Sequence, residues 1–292
     1  MKIEKINISS IYPQIEDHGA CFTTFFTEKN KEINFGKRPA IVIFPGGGYW
    51  FTSAREAEPI ALTFAAKGFQ AIIVDYSTKD TAKDANFPQQ LLEGFSAIDY
   101  LRKHADELDI DPTKISVIGF SAGGHMAGMM GTRYGEKVVC DTFKVTPDEV
   151  RPDAMILSYP VLTSGKYGHR GCFTCLIGEA AAADESMFKK IDIIENVTEN
   201  TPPAFIWTSF TDDCVPAQNS LMMATKMLEK GVKCELHMFR EVWHGASLAD
   251  HTIISNPESV SWSDGYNRPH VAHWVKLCLE WLDEELKLGF KL

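Results

Sequence analysis

Residues 114–130, KISVIGFSAGGHMAGMM, read as a strand that runs into a helix through a serine held between glycines. The match GFSAG at 119–123 fits G-x-S-x-G, and the strand before it and helical stretch after it supply the context that a nucleophile elbow requires. The sharp turn forces Ser121 into a strained backbone and exposes its Oγ. Gly119 and Gly123 leave room for strand and helix to pass closely. The helix that starts after Ser121 aims its free N–H groups at the site and favours developing negative charge there.

Outward from this stretch the chain alternates β-branched runs with helical patterns. RPAIVIF (38–44), FQAIIVDY (69–76), KISVIGF (114–120), DAMILSY (153–159), PAFIWTSF (203–210) and KCELHMF (233–239) read as strands. Most are nearly continuous apolar runs, as strands covered on both faces should be. Helices are expected at 55–67, 88–106, 122–133, 217–230 and 267–288, with Pro88 in a first turn and Gly68 and Gly231 as C-terminal caps. The alternation implies βαβ units: an α/β fold with a mostly parallel central sheet flanked by helices.

Two stretches interrupt the rhythm. KIEKINI and ACFTTFF, within the first 37 residues, read as antiparallel strands added to the sheet edge. Residues 160–202 are too long for a plain loop and are expected to form a cap or lid over one end of the sheet, inside a single domain spanning 1–292.

Directly after the first central strand stands PGGGYW, 45–50. Consecutive glycines let backbone N–H groups approach a ligand, and Gly47 and Gly48, with Ala122 after the serine, are the expected donors to a tetrahedral oxyanion. A serine nucleophile needs a base, and the base needs a carboxylate to fix its tautomer. In a fold of this kind both follow the serine in the chain. FTDDCVP (210–216) offers Asp212 and Asp213 after one strand, and VWHGAS (242–247) offers His244 after the next, all at the sheet end of Ser121.

Of the other histidines, His237 lies within a strand, His104 on an amphipathic helix, and His251, His270 and His273 in or beside the last helix; His125, one turn past Ser121, is expected to be buried near the site. Tyr49, Trp50 and Trp243 flank the motifs and are the candidate substrate-binding aromatics. Cys172 and Cys175 form a C-x-x-C without the second pair that structural zinc needs, so they read as packing residues. No Walker loop, dinucleotide fingerprint or histidine-rich metal motif is present, and no cofactor is expected.

Composition limits the partners. The 292 residues carry 29 Lys+Arg against 39 Asp+Glu, a formal net charge of −10, which argues against a nucleic-acid partner. No run of 18 apolar residues predicts a membrane span, and MKIEKINISS lacks a signal-peptide core. The seven scattered cysteines fit reduced thiols, so a cytoplasmic location is expected. Whether the chain forms a homo-oligomer is left open.

Four motifs in order, PGGGY with the following SAREAEPIA, DIDPTKISVIGFSAGGHMA, FTDDCVPAQNSL and VWHG, resemble the α/β-hydrolase superfamily. Within it the chain is most similar to the acetyl-esterase and lipase-like group, related to hormone-sensitive lipase and to acetyl xylan esterases. The resemblance implies an α/β-hydrolase fold with Ser121, Asp212 and His244 as triad. Asp212 is preferred to Asp213 because the first aspartate of similar loops is the triad member. Many relatives have HGGG where this chain has Pro45 before its glycines. The activity implied is hydrolysis of short acyl esters, acetyl above all, on sugars or xylo-oligosaccharides. The alternative is an amidase or peptidase, similar to prolyl-peptidase-type enzymes or formamidases.

Overall fold

The computed structural model describes residues 1–29, 32, 36–253 and 265–290. Eight strands form one sheet: β1 (Lys2–Asn7), β2 (Cys21–Phe26), β3 (Arg38–Phe44), β4 (Gln70–Asp75), β5 (Ile110–Phe120), β6 (Ala154–Ser158), β7 (Ala204–Ser209) and β8 (Cys234–Phe239). Their order is β1-β2-β4-β3-β5-β6-β7-β8. The β1–β2 and β2–β4 pairs are antiparallel, and every pair from β4–β3 to β7–β8 is parallel. This is the α/β-hydrolase arrangement, and the two N-terminal runs take the expected edge.

Each central strand sends alternate side chains to opposite faces, which is why its sequence is apolar throughout. Val42, Ile72, Val117, Leu157 and Ile206 face one core, shared with α2 (Gln89–Lys103), α3 (Ala122–Thr132) and α7 (Gln218–Glu229). Ile41, Ile73, Ile118, Ile156 and Phe205 face the other, shared with α1 (Glu58–Ala65) and α8 (Trp274–Leu286). Gly68 and Gly231 follow α1 and α7 with φ of +97° and +69°, the left-handed conformation of a helix stop.

Differences from the sequence reading are local. The expected 55–67 helix is a short 3-10 turn at Ala54–Glu56 followed by α1 from Glu58. The last helix is a turn at Pro269–Ala272 and then α8. Helix α4 (Lys137–Phe143) and a turn at Pro147–Val150, closed by a Thr146–Glu149 capping box, fill a stretch the periodicity left unassigned. The 160–202 insertion contains α5 (Arg170–Ile177) and α6 (Glu185–Ile191). Its Phe173, Leu176, Phe188 and Ile191 are buried in the α2–α3 core, so the insertion is anchored to the sheet's helical layer.

Candidate active site

The loops after β3, β5, β7 and β8 meet at one end of the sheet, as the polarity of parallel strands dictates. Ser121, between β5 and α3, has φ +54° and ψ −115°, outside the regions an L-residue prefers. The turn survives because its neighbours lack side chains. A Cβ on Gly119 would stand 1.9 Å from the Gly123 carbonyl oxygen, and one on Gly123 would stand 1.9 Å from that of Phe44. The Ser121 N–H donates to the Ser158 carbonyl at 3.0 Å, and Ser121 accepts from Val161 N–H at 3.1 Å, which pins the turn to the strand end beside it.

His244 Nε2 lies 2.8 Å from Ser121 Oγ, and its Nδ1 lies 2.8 Å from Asp212 Oδ2. The Asp212 carboxylate is 1% exposed, and its other oxygen accepts from the N–H groups of Cys214 and Val215 at 3.0 and 2.8 Å. Both carboxylate oxygens are thus committed, which fixes the imidazole's tautomer and orientation. Asp213 is exposed. Such a constellation can lower the cost of removing the serine proton during attack on an electrophilic carbon.

Gly47 and Gly48 line the cavity with Ser121. Their φ values of +124° and +66° are glycine conformations, and a Cβ on Gly47 would stand 2.0 Å from the Phe51 carbonyl oxygen. The Gly47 carbonyl accepts from Trp50 and Phe51 N–H groups at 3.0 and 3.2 Å. Among the described residues the Gly47 and Gly48 N–H groups have no hydrogen-bond partner, and Ala122 N–H opens α3, where no intrahelical acceptor precedes it. The three form a set of donors suited to an oxyanion.

The cavity holds about 260 Å³ and is bordered by Phe51, Arg55, Glu56, Val161, His169 and Cys172 besides the residues above. Tyr49 requires a correction: it is fully buried, and its hydroxyl lies 2.7 Å from His125 Nδ1, so it packs behind the glycine loop and does not reach a substrate. Trp50, 58% exposed, borders a neighbouring groove with Lys79 and α5. Trp243 stacks edge-on to Tyr266 at 5.4 Å, outside the cavity lining. Among the described residues Phe51 borders the cavity instead.

His125 is buried as expected. Its Nε2 lies 2.7 Å from the Ile191 carbonyl, an acceptor, so Nε2 carries the proton and Nδ1 accepts from Tyr49. Burial pushes its pKa down to about 4, against the smaller upward effect of the Ile191 bond. Burial pushes the Cys172 thiol far above its ordinary range, and Cys172 and Cys175 are both free. Neither is a thiolate nucleophile.

Among the cavity residues that the sequence reading did not single out, two are polar groups with defined partners. His169 caps α5, its Nδ1 accepting from Cys172 N–H at 3.1 Å. Glu56 is 2% exposed; its Oε2 accepts from Gly46 N–H at 2.8 Å and its Oε1 from Tyr159 O–H at 2.6 Å. A polar residue in a polar segment gives no sequence signal of burial, although its position in the shared segment SAREAEPIA was a cue.

Comparison with known proteins adds the wider context. The family described as BD-FAE matches residues 27–227. The endo-1,4-beta-xylanase B of Butyrivibrio fibrisolvens is 33% identical over 230 residues, 78% of this chain but 35% of that protein. The chain therefore spans about a third of that relative's length. Two solved structures are similar over nearly their whole length. MGS-M1, an alpha/beta hydrolase enzyme from a Medee basin deep-sea metagenome library, is 34% identical with a TM-score of 0.75, covering 98% of each chain. An acetyl ester-xyloside bifunctional hydrolase from Caldicellulosiruptor lactoaceticus is 30% identical with a TM-score of 0.78, covering 98% of this chain and 97% of the other.

Proposed function

The chain belongs to the BD-FAE family, and from that membership we propose that it is a carboxylic ester hydrolase that uses Ser121 as nucleophile to remove short acyl groups, acetyl first, from sugars or xylo-oligosaccharides. The observation that carries the reading is the unbroken series Ser121 Oγ, His244 and Asp212, each link 2.8 Å long. Supporting it are the free N–H groups of the glycine loop and the esterase activity named for the Caldicellulosiruptor structure.

In this reading His244 Nε2 accepts the Ser121 proton as Oγ attacks the ester carbonyl. Asp212 stabilises the imidazolium that results. The carbonyl oxygen, now an anion, is held by the N–H groups of Gly47, Gly48 and Ala122, each such donor contributing about 3 kcal/mol in the transition state. His244 returns the proton to the leaving alcohol, and the acyl group stays on Ser121. Water then attacks under the same base, and the acid leaves with Ser121 restored.

The small cavity favours a short acyl group. The insertion 160–202 serves as the cap, because His169 and Cys172 of its α5 region border the same space as Ser121. A cytoplasmic location is supported by seven free thiols, two of them in contact with the cavity; among the described residues no helix is long and apolar enough to cross a membrane. Acetate release from acetylated xylo-oligosaccharides, compared with hydrolysis of an acyl-proline anilide and of N-formylkynurenine, tests the substrate class. Faster cleavage of either amide would reverse it in favour of an amidase.

A further inference from the structure

Glu56 stands where three loops of the site meet. The first is the glycine loop. Glu56 Oε2 holds the Gly46 N–H, while the Gly46 carbonyl accepts from Ser53 N–H at 2.9 Å and Ser53 in turn accepts from Glu56 N–H at 3.1 Å. The second is the segment after β6, whose Tyr159 donates its hydroxyl to Glu56 Oε1. The third is the histidine loop: Ser247 N–H donates to the same Tyr159 oxygen at 2.9 Å, and the Tyr159 ring packs edge-on against the His244 ring at 5.0 Å. Ser247 Oγ closes the circuit by donating to the Arg55 carbonyl, next to Glu56.

We propose that Glu56 is a positioning residue that fixes the oxyanion donors relative to the base, by tying the Gly46 peptide to the His244 loop through Tyr159. The inference rests on the serine-esterase reading above. Several features carry it. The Gly47 N–H belongs to the peptide immediately after Gly46, so a shift of the Gly46 plane moves the first donor. The link is also short and close: a Cβ built on Gly46 would stand 2.7 Å from Glu56 Oε2 and 3.1 Å from Ser121 Cβ. Finally, both carboxyl oxygens are occupied by donors, and the guanidinium of Arg55 flanks the same space. A Cβ on Gly245 would stand 3.3 Å from Arg55 Nη2 and 3.8 Å from Glu56 Oε1. A guanidinium on that side of the carboxyl, close enough for the two groups to influence each other electrostatically, and a donor on each carboxyl oxygen leave Glu56 little freedom to swing away from Gly46.

A group that acts only through the donors should affect the transition state and not the ground state. The test measures Glu56→Gln and Glu56→Asp on the full chain with p-nitrophenyl acetate, with rates expressed per serine titrated by a fluorophosphonate probe. Inhibition by a trifluoromethyl ketone, whose adduct carries an oxyanion, is measured beside it. We expect kcat to fall about 10- to 100-fold with KM within about threefold, since a misplacement of about 1 Å has effects of that order. Affinity for the ketone should fall by the same factor as kcat/KM. A kcat per titrated site within twofold of the parent, or unchanged ketone affinity, would overturn the proposal, as would a loss expressed in KM alone. Should neither Glu56 variant fold, Tyr159→Phe removes one tether and leaves the ring; it must show the same parallel loss, smaller in size, and its absence counts equally against the proposal. Ser121→Ala in the same assay keeps the two readings apart. A silent Glu56→Gln beside an inactive Ser121→Ala sinks this inference alone, whereas an active Ser121→Ala sinks the serine reading itself.

Discussion

His244 Nδ1 lies 2.8 Å from Asp212 Oδ2, while the adjacent Asp213 is exposed to solvent and makes no contact with the imidazole among the described residues. Two neighbouring carboxylates, both compatible with the motif, are thus sharply separated by geometry. Replacing Asp212 with Asn leaves the shape of the site and removes the acceptor that selects the imidazole tautomer, so kcat on p-nitrophenyl acetate should fall about 10³- to 10⁴-fold. Asp213→Asn should stay within about twofold of the parent, because a surface carboxylate acts on the site only through screened charge. Equal losses in both variants would remove the assignment of Asp212.

Tyr49 separates a structural from a substrate-binding role. Its hydroxyl is the donor to buried His125 Nδ1, so Tyr49→Phe strands an acceptor and should cost about 1–3 kcal/mol in urea unfolding. KM for p-nitrophenyl acetate should stay within twofold. A raised KM with unchanged stability would restore the substrate-binding role expected from its place after the glycines.

The same histidine gives the fold a pH dependence. Its folded pKa of about 4 lies below the unfolded value near 6.5, so the unfolded chain binds the proton more readily in between. Stability from this group is complete above about pH 6.5 and is lost as pH falls toward 4, to a limit of about 3 kcal/mol. Urea unfolding at pH 7 and pH 5 should show the loss, and His125→Asn, though less stable at pH 7, should show a flatter profile. An equal slope in the variant would assign the acid sensitivity elsewhere.

Glycine requirements differ by position. Gly123→Ala places a methyl 1.9 Å from the Phe44 carbonyl oxygen, a backbone clash at the strand–helix crossing that no rotamer relieves, so the expected loss is about 3 kcal/mol or more. Gly135→Ala meets nothing closer than Pro147 at 3.9 Å and should change stability by less than about 1 kcal/mol. Urea midpoints that ranked the two in the opposite order would contradict the crossing geometry.

Acyl length should matter as well. A cavity of about 260 Å³ is smaller than the roughly 300–1,000 Å³ of pockets that hold drug-sized ligands. Across p-nitrophenyl esters kcat/KM should be highest for acetyl and fall steadily to octanoyl. A maximum at octanoyl would mean that the 160–202 segment opens a longer channel.

The strands were legible because each central one is covered on both faces, and a run such as RPAIVIF can then be apolar at every position; the β3 bounds coincide with it. The elbow was legible because its glycines are required by contacts only four or five residues apart in the chain or at the end of the neighbouring strand. Glu56 was not, since its partners Gly46 and Tyr159 lie 10 and 103 residues away and only the folded chain places them around one carboxylate. Tyr49 misled for the converse reason. It is adjacent in sequence to the chemistry, but side-chain direction in a tight loop is set by local φ, and Tyr49 with φ +59° turns into the core. Helix α4 is not legible because its seven residues, KVVCDTF, span barely two turns, too short a window for a 3.6-residue period to show; only Val139 and Phe143 of it are buried.

The reading as a whole depends on covalent use of Ser121. The most direct measurement is kcat/KM of Ser121→Ala on p-nitrophenyl acetate, paired with mass spectrometry of the parent chain after fluorophosphonate labelling. We expect a loss of at least about 10⁴-fold and a single phosphonyl adduct on the peptide containing Ser121. Retained hydrolysis by Ser121→Ala, or an adduct on another residue, would contradict the account.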